Sequence, residues 1–242
     1  MVDKTEIRAY TVAISVVVLV FFAPVFAMES SKLQPTWYFG ENLSAGDYFE
    51  YKICDSVLKI PQSPQSCYIV KLWFLILLST PEGKTWVTAA KIIHKNYHLE
   101  AIFHVLDDSK KIKTDGMSMP YAQSIQRTLG WINQYASKFE PQALSVGKSW
   151  GIVLSEAGFK TELLLTQKDS TNVANELYET HRVGYSSFKE SFVQISDEFP
   201  FPLKAIIYQA ASWQNPSPAF TVDLLSHSHK CVCESNDLKN PR

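Results

Sequence analysis

Twelve residues from Cys67 to Leu78, Cys-Tyr-Ile-Val-Lys-Leu-Trp-Phe-Leu-Ile-Leu-Leu, are apolar apart from Lys71. A strand sends alternate side chains to opposite faces, so apolar residues on both parities need cover on both faces. Enrichment in β-branched and aromatic side chains favours strand over buried helix. As a helix the run is also too short to cross a bilayer. The stretch therefore predicts the central strand of a sheet, with the rest of the chain as hairpin partners and cover.

The surrounding sequence supplies such partners. Leu43-Ser44-Ala45-Gly46-Asp47-Tyr48-Phe49 reads as a turn leading into a strand that runs to about Cys54. A related phrase returns as Leu144-Ser145-Val146-Gly147-Lys148-Ser149-Trp150, which suggests two similar β units. Pro81 to Lys84 is a turn, 85–93 a strand and Lys95-Asn96 a tight reversal. In 97–106 the residues Tyr97, Leu99, Ala101, Phe103 and Val105 make an apolar face, while His98, Glu100 and His104 share the other, the pattern of a half-buried antiparallel strand. Between Pro120 and Pro141 the period becomes helical, with Ala122, Ile125, Leu129, Ile132 and Ala136 on one stripe and Gln123, Arg127, Gln134 and Lys138 pointing elsewhere. Further strands are expected at 148–154, 160–167, 176–185, 188–195, 203–209 and 220–226. Phe199-Pro200-Phe201-Pro202 forces an extended bend lacking two backbone donors, suited to a hairpin end or sheet edge with its phenylalanines plugging the core.

The chain opens with the pattern of an export signal. Lys4 and Arg8 precede an apolar run from Ala9 to Phe26, and Val25-Phe26-Ala27 suits cleavage after Ala27. The alternative is an uncleaved membrane anchor, since the run approaches the length of a span. Residues 28–40 read as a linker, 41–226 as a single β-rich domain and 227–242 as a His/Cys-containing tail. Hydrophobic residues at 46% and charged residues at 19% describe a globular chain. A net charge of −1 gives nucleic acid no electrostatic foothold. The expected location is outside the cell or at the outer face of its membrane, with the membrane touched only through the N-terminal segment.

Export makes disulfides the default for cysteine. Cys54 and Cys67 flank a loop with Pro61 and Pro64, and their pairing would close the base of a hairpin. Asn42-Leu43-Ser44 is an acceptor for N-linked glycan in a host that glycosylates. His227, His229, Cys231 and Cys233 alternate, so an extended strand would point all four to one side. Imidazole and thiolate together suit Zn²⁺ or Cu⁺ if the tail curls, because same-face neighbours stand ~6–7 Å apart. The competing reading is that Cys231 and Cys233 are disulfide-bonded, to each other or elsewhere.

Other chemical signals are negative. His98 and His104 lie ~20 Å apart at strand rise and cannot both hold one ion, so they read as a solvated sheet face. Gly147-Lys148-Ser149 resembles the end of a phosphate-binding loop, but Gln142 occupies the position of its first glycine and a strand follows where a helix is required. There is no His-Glu-x-x-His or Cys-x-x-Cys motif. No catalytic residue can be named, and no cofactor is expected apart from the Zn or Cu alternative.

The runs Gly46 to Cys54, Val146 to Gly151 and Phe199 to Ala205, with Cys67, resemble exported, functionally uncharacterised proteins of ammonia-oxidising archaea. The resemblance spans most of the exported chain, and its motifs bring no known activity. A bent antiparallel sheet crossed by one helix also resembles the half-barrel of bacterial lipoprotein carriers in architecture, which does not give function. The expectation is a β-rich α+β fold, half-barrel-like, with one packed helix. Its role would be a non-enzymatic binding module for an apolar ligand, held under Ile125, Leu129 and Ile132, or for a protein or envelope partner. Metal handling by the tail and an unrecognised hydrolase are the alternatives.

Overall fold

The computed structural model describes residues 35–56, 58, 66–107, 111–114, 119–134, 141–154, 160–186, 191–208 and 218–229. The expected signal segment, and the linker as far as residue 34, lie outside the described residues. Among the described residues, eleven antiparallel strands form one strongly curved sheet. The first meander runs through β2 (Tyr48–Asp55), β3 (Ser66–Thr80), β4 (Gly83–His94), β5 (Tyr97–Leu106) and β6 (Ile112–Lys113). The second runs through β8 (Ser149–Leu154), β9 (Lys160–Val173), β10 (Glu176–Tyr185), β11 (Phe192–Ile195), β12 (Lys204–Tyr208) and β13 (Pro218–Ser228). Between them come the helix α1 (Met119–Gln134) and the short β7 (Gln142–Ala143), which pairs with β1 (Thr36–Trp37). The meanders join where β13 pairs with β2, so β13 holds the middle of the sheet and β3 is an inner strand of the first half.

The two related sequence phrases adopt the same local structure. Asp47 N–H donates to the Ser44 carbonyl at 3.2 Å, and Lys148 N–H to the Ser145 carbonyl at 3.0 Å. Gly46 N–H donates to the Phe74 carbonyl, and Phe74 N–H returns a bond to the Asp47 carbonyl. Gly147, Leu165 and Lys148 repeat this exchange. Both glycines take positive φ, +96° and +82°, which a side chain would oppose. Each exchange is followed by a bulge. Leu75, just after Phe74, is extra between Thr88 and Val87; Thr166, just after Leu165, is extra between Val183 and Arg182. An extra residue bends its strand and increases local twist. Paired bulges at equivalent points thus help curve both halves.

That curvature limits the cover on β3. Phe74 is buried, but Ile76 is 49% exposed and Leu78 40%. The expectation of cover on both faces therefore fails beyond the bulge, where Ile76, Leu77 and Leu78 are all exposed although Trp86, opposite Leu77, stays buried. The linker boundary also shifts. Trp37 and Phe39 are buried, Trp37 stacks on Trp150, and Trp37 Nε1–H donates to the Phe199 carbonyl at 2.9 Å. Residues 35–40 thus belong to the body of the domain.

Phe199 to Pro202 plugs one end of the core as expected. Phe201 packs against Phe39, Phe49 and Phe74. The prolines offer no N–H, yet their carbonyls are used: Gly40 N–H donates to Pro200 at 2.7 Å and Tyr51 O–H to Pro202 at 3.0 Å. On the opposite face of the first meander, one cross-strand row reads Glu50, Lys71, Lys91, Glu100. Its pairs Glu50–Lys71 and Lys91–Glu100 lie at 3.4 and 3.5 Å.

Candidate functional site

Helix α1 begins where Pro120 can occupy its first turn without losing a needed donor. Its apolar stripe faces the first meander: Ala122, Ile125 and Ile132 are buried and Leu129 is partly buried. Beneath them lies a cavity of about 70 Å³. Ile125, Leu129 and Ile132 line its helical side, while Val70, Phe74 and Phe103 are among the sheet residues opposite. The surface presented to the space is carbon nearly throughout. The helical spacing had named the three helix residues; their sheet partners follow only from the register.

Polar contacts secure the helix over this space, and the sequence reading missed them. Asp55, at the end of β2, is almost fully buried. Arg127 Nη2 and Ser124 Oγ both donate to Asp55 Oδ2 at 2.7 Å. Tyr68 O–H donates to Ser124 Oγ at 3.0 Å, and Tyr121 Oη stands 3.2 Å from His94 Nδ1. Burial holds the Tyr68 hydroxyl well above the ordinary tyrosine range and the His94 imidazole below the ordinary histidine range. These groups tie the first half of α1 to β2, β3 and β4. Leu129 and Ile132, on the second half, meet the cavity through hydrocarbon alone.

Cys54 and Cys67 are directly opposed on β2 and β3 and form the expected disulfide. Asn42 is exposed in the turn before β2 with φ of 62°, so its sequon is presented at the surface. His98, Glu100 and His104 are all exposed on β5, as a solvated face requires.

The tail histidines are not free of the fold. His227 lies within β13, and His229 directly follows the strand. Their rings stand 5.8 Å apart. His227 Nε2 lies 3.0 Å from Tyr178 Oη, and its ring packs edge-on against Phe199 at 4.5 Å. His229 Nδ1 lies 3.3 Å from the buried Asp47 carboxylate. Burial, then the neighbouring His229, holds His227 below the ordinary histidine range. Tyr178 is pushed up to about 12, first by its hydrogen bond to Glu176. Cys231 and Cys233 lie outside the described residues. Among the described residues, no group of three or more His, Cys, Asp or Glu side chains is placed to hold a metal ion.

No protein-family model matches the chain, and no curated protein matches it in sequence. Two solved structures are similar in part. A chain of the Pseudomonas aeruginosa MucA/MucB complex is 9% identical with a TM-score of 0.32, over 75% of this chain and 50% of that one. A putative exported protein with YmcC-like fold from Bacteroides fragilis is 7% identical with a TM-score of 0.33, over 80% of this chain and 99% of that one. The chain thus spans half the length of the first. Likeness at this level carries no argument about function. Among the described residues, no helix is long and apolar enough to cross a membrane.

Proposed function

We propose that this chain is an exported, non-enzymatic binding module that takes an apolar ligand between α1 and the curved sheet. The observation that carries the reading is the carbon-lined cavity under Ile125, Leu129 and Ile132. Ligand sites of this kind are concave and mostly apolar. The Cys54–Cys67 disulfide and the signal-like pattern before Ala27 support an oxidising, exported location.

Size constrains the occupant. A dry cavity of ~150 Å³ accepts benzene, so a space of about 70 Å³ takes only a few carbons as it stands. A longer chain would enter end-first, or would require the second half of α1 to move outward. Native mass spectrometry of protein purified from its own cells tests the reading. A retained hydrocarbon-bearing adduct supports it, and mass equal to the bare polypeptide in every preparation counts against it.

A second reading, Zn or Cu binding through His227, His229, Cys231 and Cys233, is favoured only by the proximity of the two imidazoles. Metal titration of the reduced full-length protein, with and without His227→Ala, tests it directly. Stoichiometric binding weakened by the substitution would support the metal reading. A hydrolase finds no help in Ser124, whose hydroxyl is committed to Asp55 and Tyr68.

A further inference from the structure

On one side the sheet ends at the short β6, whose ladder with β5 covers His104 and Val105 among the described residues. Among the described residues, Leu106 N–H donates to the Lys111 carbonyl at 2.9 Å and Thr114 Oγ1–H to the Ile102 carbonyl at 3.2 Å, both beyond Tyr97 to Ala101. The β4–β5 hairpin pairs His94 with Tyr97 around a two-residue loop. Its hydrogen-bonded positions therefore alternate from Tyr97, leaving the N–H and C=O of His98 and Glu100 directed away from β4. Sheet edges are ordinarily blunted by proline, lysine or a bulge. Residues Tyr97 to Ala101 carry no proline, lysine or bulge, their one charged side chain being Glu100, whereas the opposite edge, β8, is broken by a bulge between Ser149 and Gly151.

We propose that β5 pairs antiparallel with β5 of a second copy of this chain, about a twofold axis at Leu99. In that register His98 of each copy lies opposite Glu100 of the other, and the outward backbone groups of both positions face one another. The side chains agree with the backbone. The row Glu50–Lys71–Lys91–Glu100 ends at the edge on a carboxylate that is 66% exposed. An imidazole N–H placed opposite continues that row with a donor. On the other face, Leu99 meets its own copy, and Tyr97, itself 44% exposed, meets Ala101. Shifting the twofold to Glu100 would oppose two carboxylates, which disfavours that register. The paired segment is short, so the association should depend on concentration.

Cysteine cross-linking of the full-length protein, carrying Cys231→Ser and Cys233→Ser, tests the arrangement. A non-hydrogen-bonded antiparallel pair places its Cα atoms ~4.5 Å apart, within reach of a disulfide. Leu99→Cys should therefore form a linked dimer under mild oxidation, several-fold faster than Ser170→Cys on the exposed part of β9. Glu100→Cys should lag, because its own copy is a diagonal neighbour. In light scattering, the protein without an added cysteine should show a concentration-dependent dimer, and Glu100→Lys should weaken it by about tenfold. Failure of Leu99→Cys to cross-link faster than the β9 control would overturn the proposal. So would a dimer that Glu100→Lys leaves unchanged, or a monomer at every attainable concentration.

Discussion

Asp55 and Arg127, 72 residues apart in sequence, meet at 2.7 Å with the carboxylate fully removed from solvent. Ser124 shares the same oxygen. The pair ties α1 to the end of β2 beside the disulfide at Cys54.

Asp55→Asn keeps the shape but removes the charge that two donors require. A hydrogen bond to a charged group contributes ~1.5–3 kcal/mol, so urea unfolding should report a loss of that order. Limited proteolysis should also cut near α1 sooner than in wild type. Unchanged stability would show that the helix is held by its apolar stripe alone.

Gly46 and Gly147 offer a test of the repeated turn. Both have positive φ and neither has an atom within 4 Å of an added Cβ, so substitution acts through the backbone. Gly46→Ala and Gly147→Ala should each cost ~1–2 kcal/mol, and by similar amounts. A large effect at one site and none at the other would separate two turns that look alike.

Much of this fold was legible because strands and helices carry periods. The expected strands at 85–93, 97–106 and 176–185 lie within or match β4, β5 and β10. The helix was found from Ile125, Leu129 and Ile132, and the cavity lies beneath those residues. β1 was missed because two residues have no period, although Trp37 is among the buried anchors. Arg127 was assigned away from the stripe by its charge; its contact depends on Asp55, which only tertiary pairing brings there. Cover on both faces of β3 was over-read because the bulge at Leu75 is a register event with no sequence signature.

The disulfide should contribute on the order of 3 kcal/mol, since it closes a loop with a sequence separation of 13. Cys54→Ala with Cys67→Ala should lower the urea midpoint accordingly, and reductant should lower the wild-type midpoint but not that of the variant. Equal sensitivity of both proteins to reductant would place the effect elsewhere.

Stability should fall on acidification. Burial, as the largest cause, holds His94, His181 and His227 below the ordinary histidine range. The unfolded chain therefore takes up protons first as pH drops through ~6.5. The stability these groups contribute is fully present above that point and is lost as pH falls through their depressed folded values. Neither ring nitrogen of the buried His181 has a hydrogen-bond partner among the described residues. His181→Leu should therefore shallow the fall in urea midpoint between about pH 7 and pH 5 without lowering the midpoint at pH 7. A wild-type midpoint constant over that interval would contradict the assignment.

The central claim, an apolar ligand under α1, is tested most directly by titrating a fluorescent fatty-acid analogue into wild type and Leu129→Trp while following thermal stability. The account predicts saturable binding by wild type and its loss in the variant, with ~1–3 kcal/mol of destabilisation from overpacking. Absence of saturable binding by wild type, or equal binding by a folded Leu129→Trp protein, would contradict it.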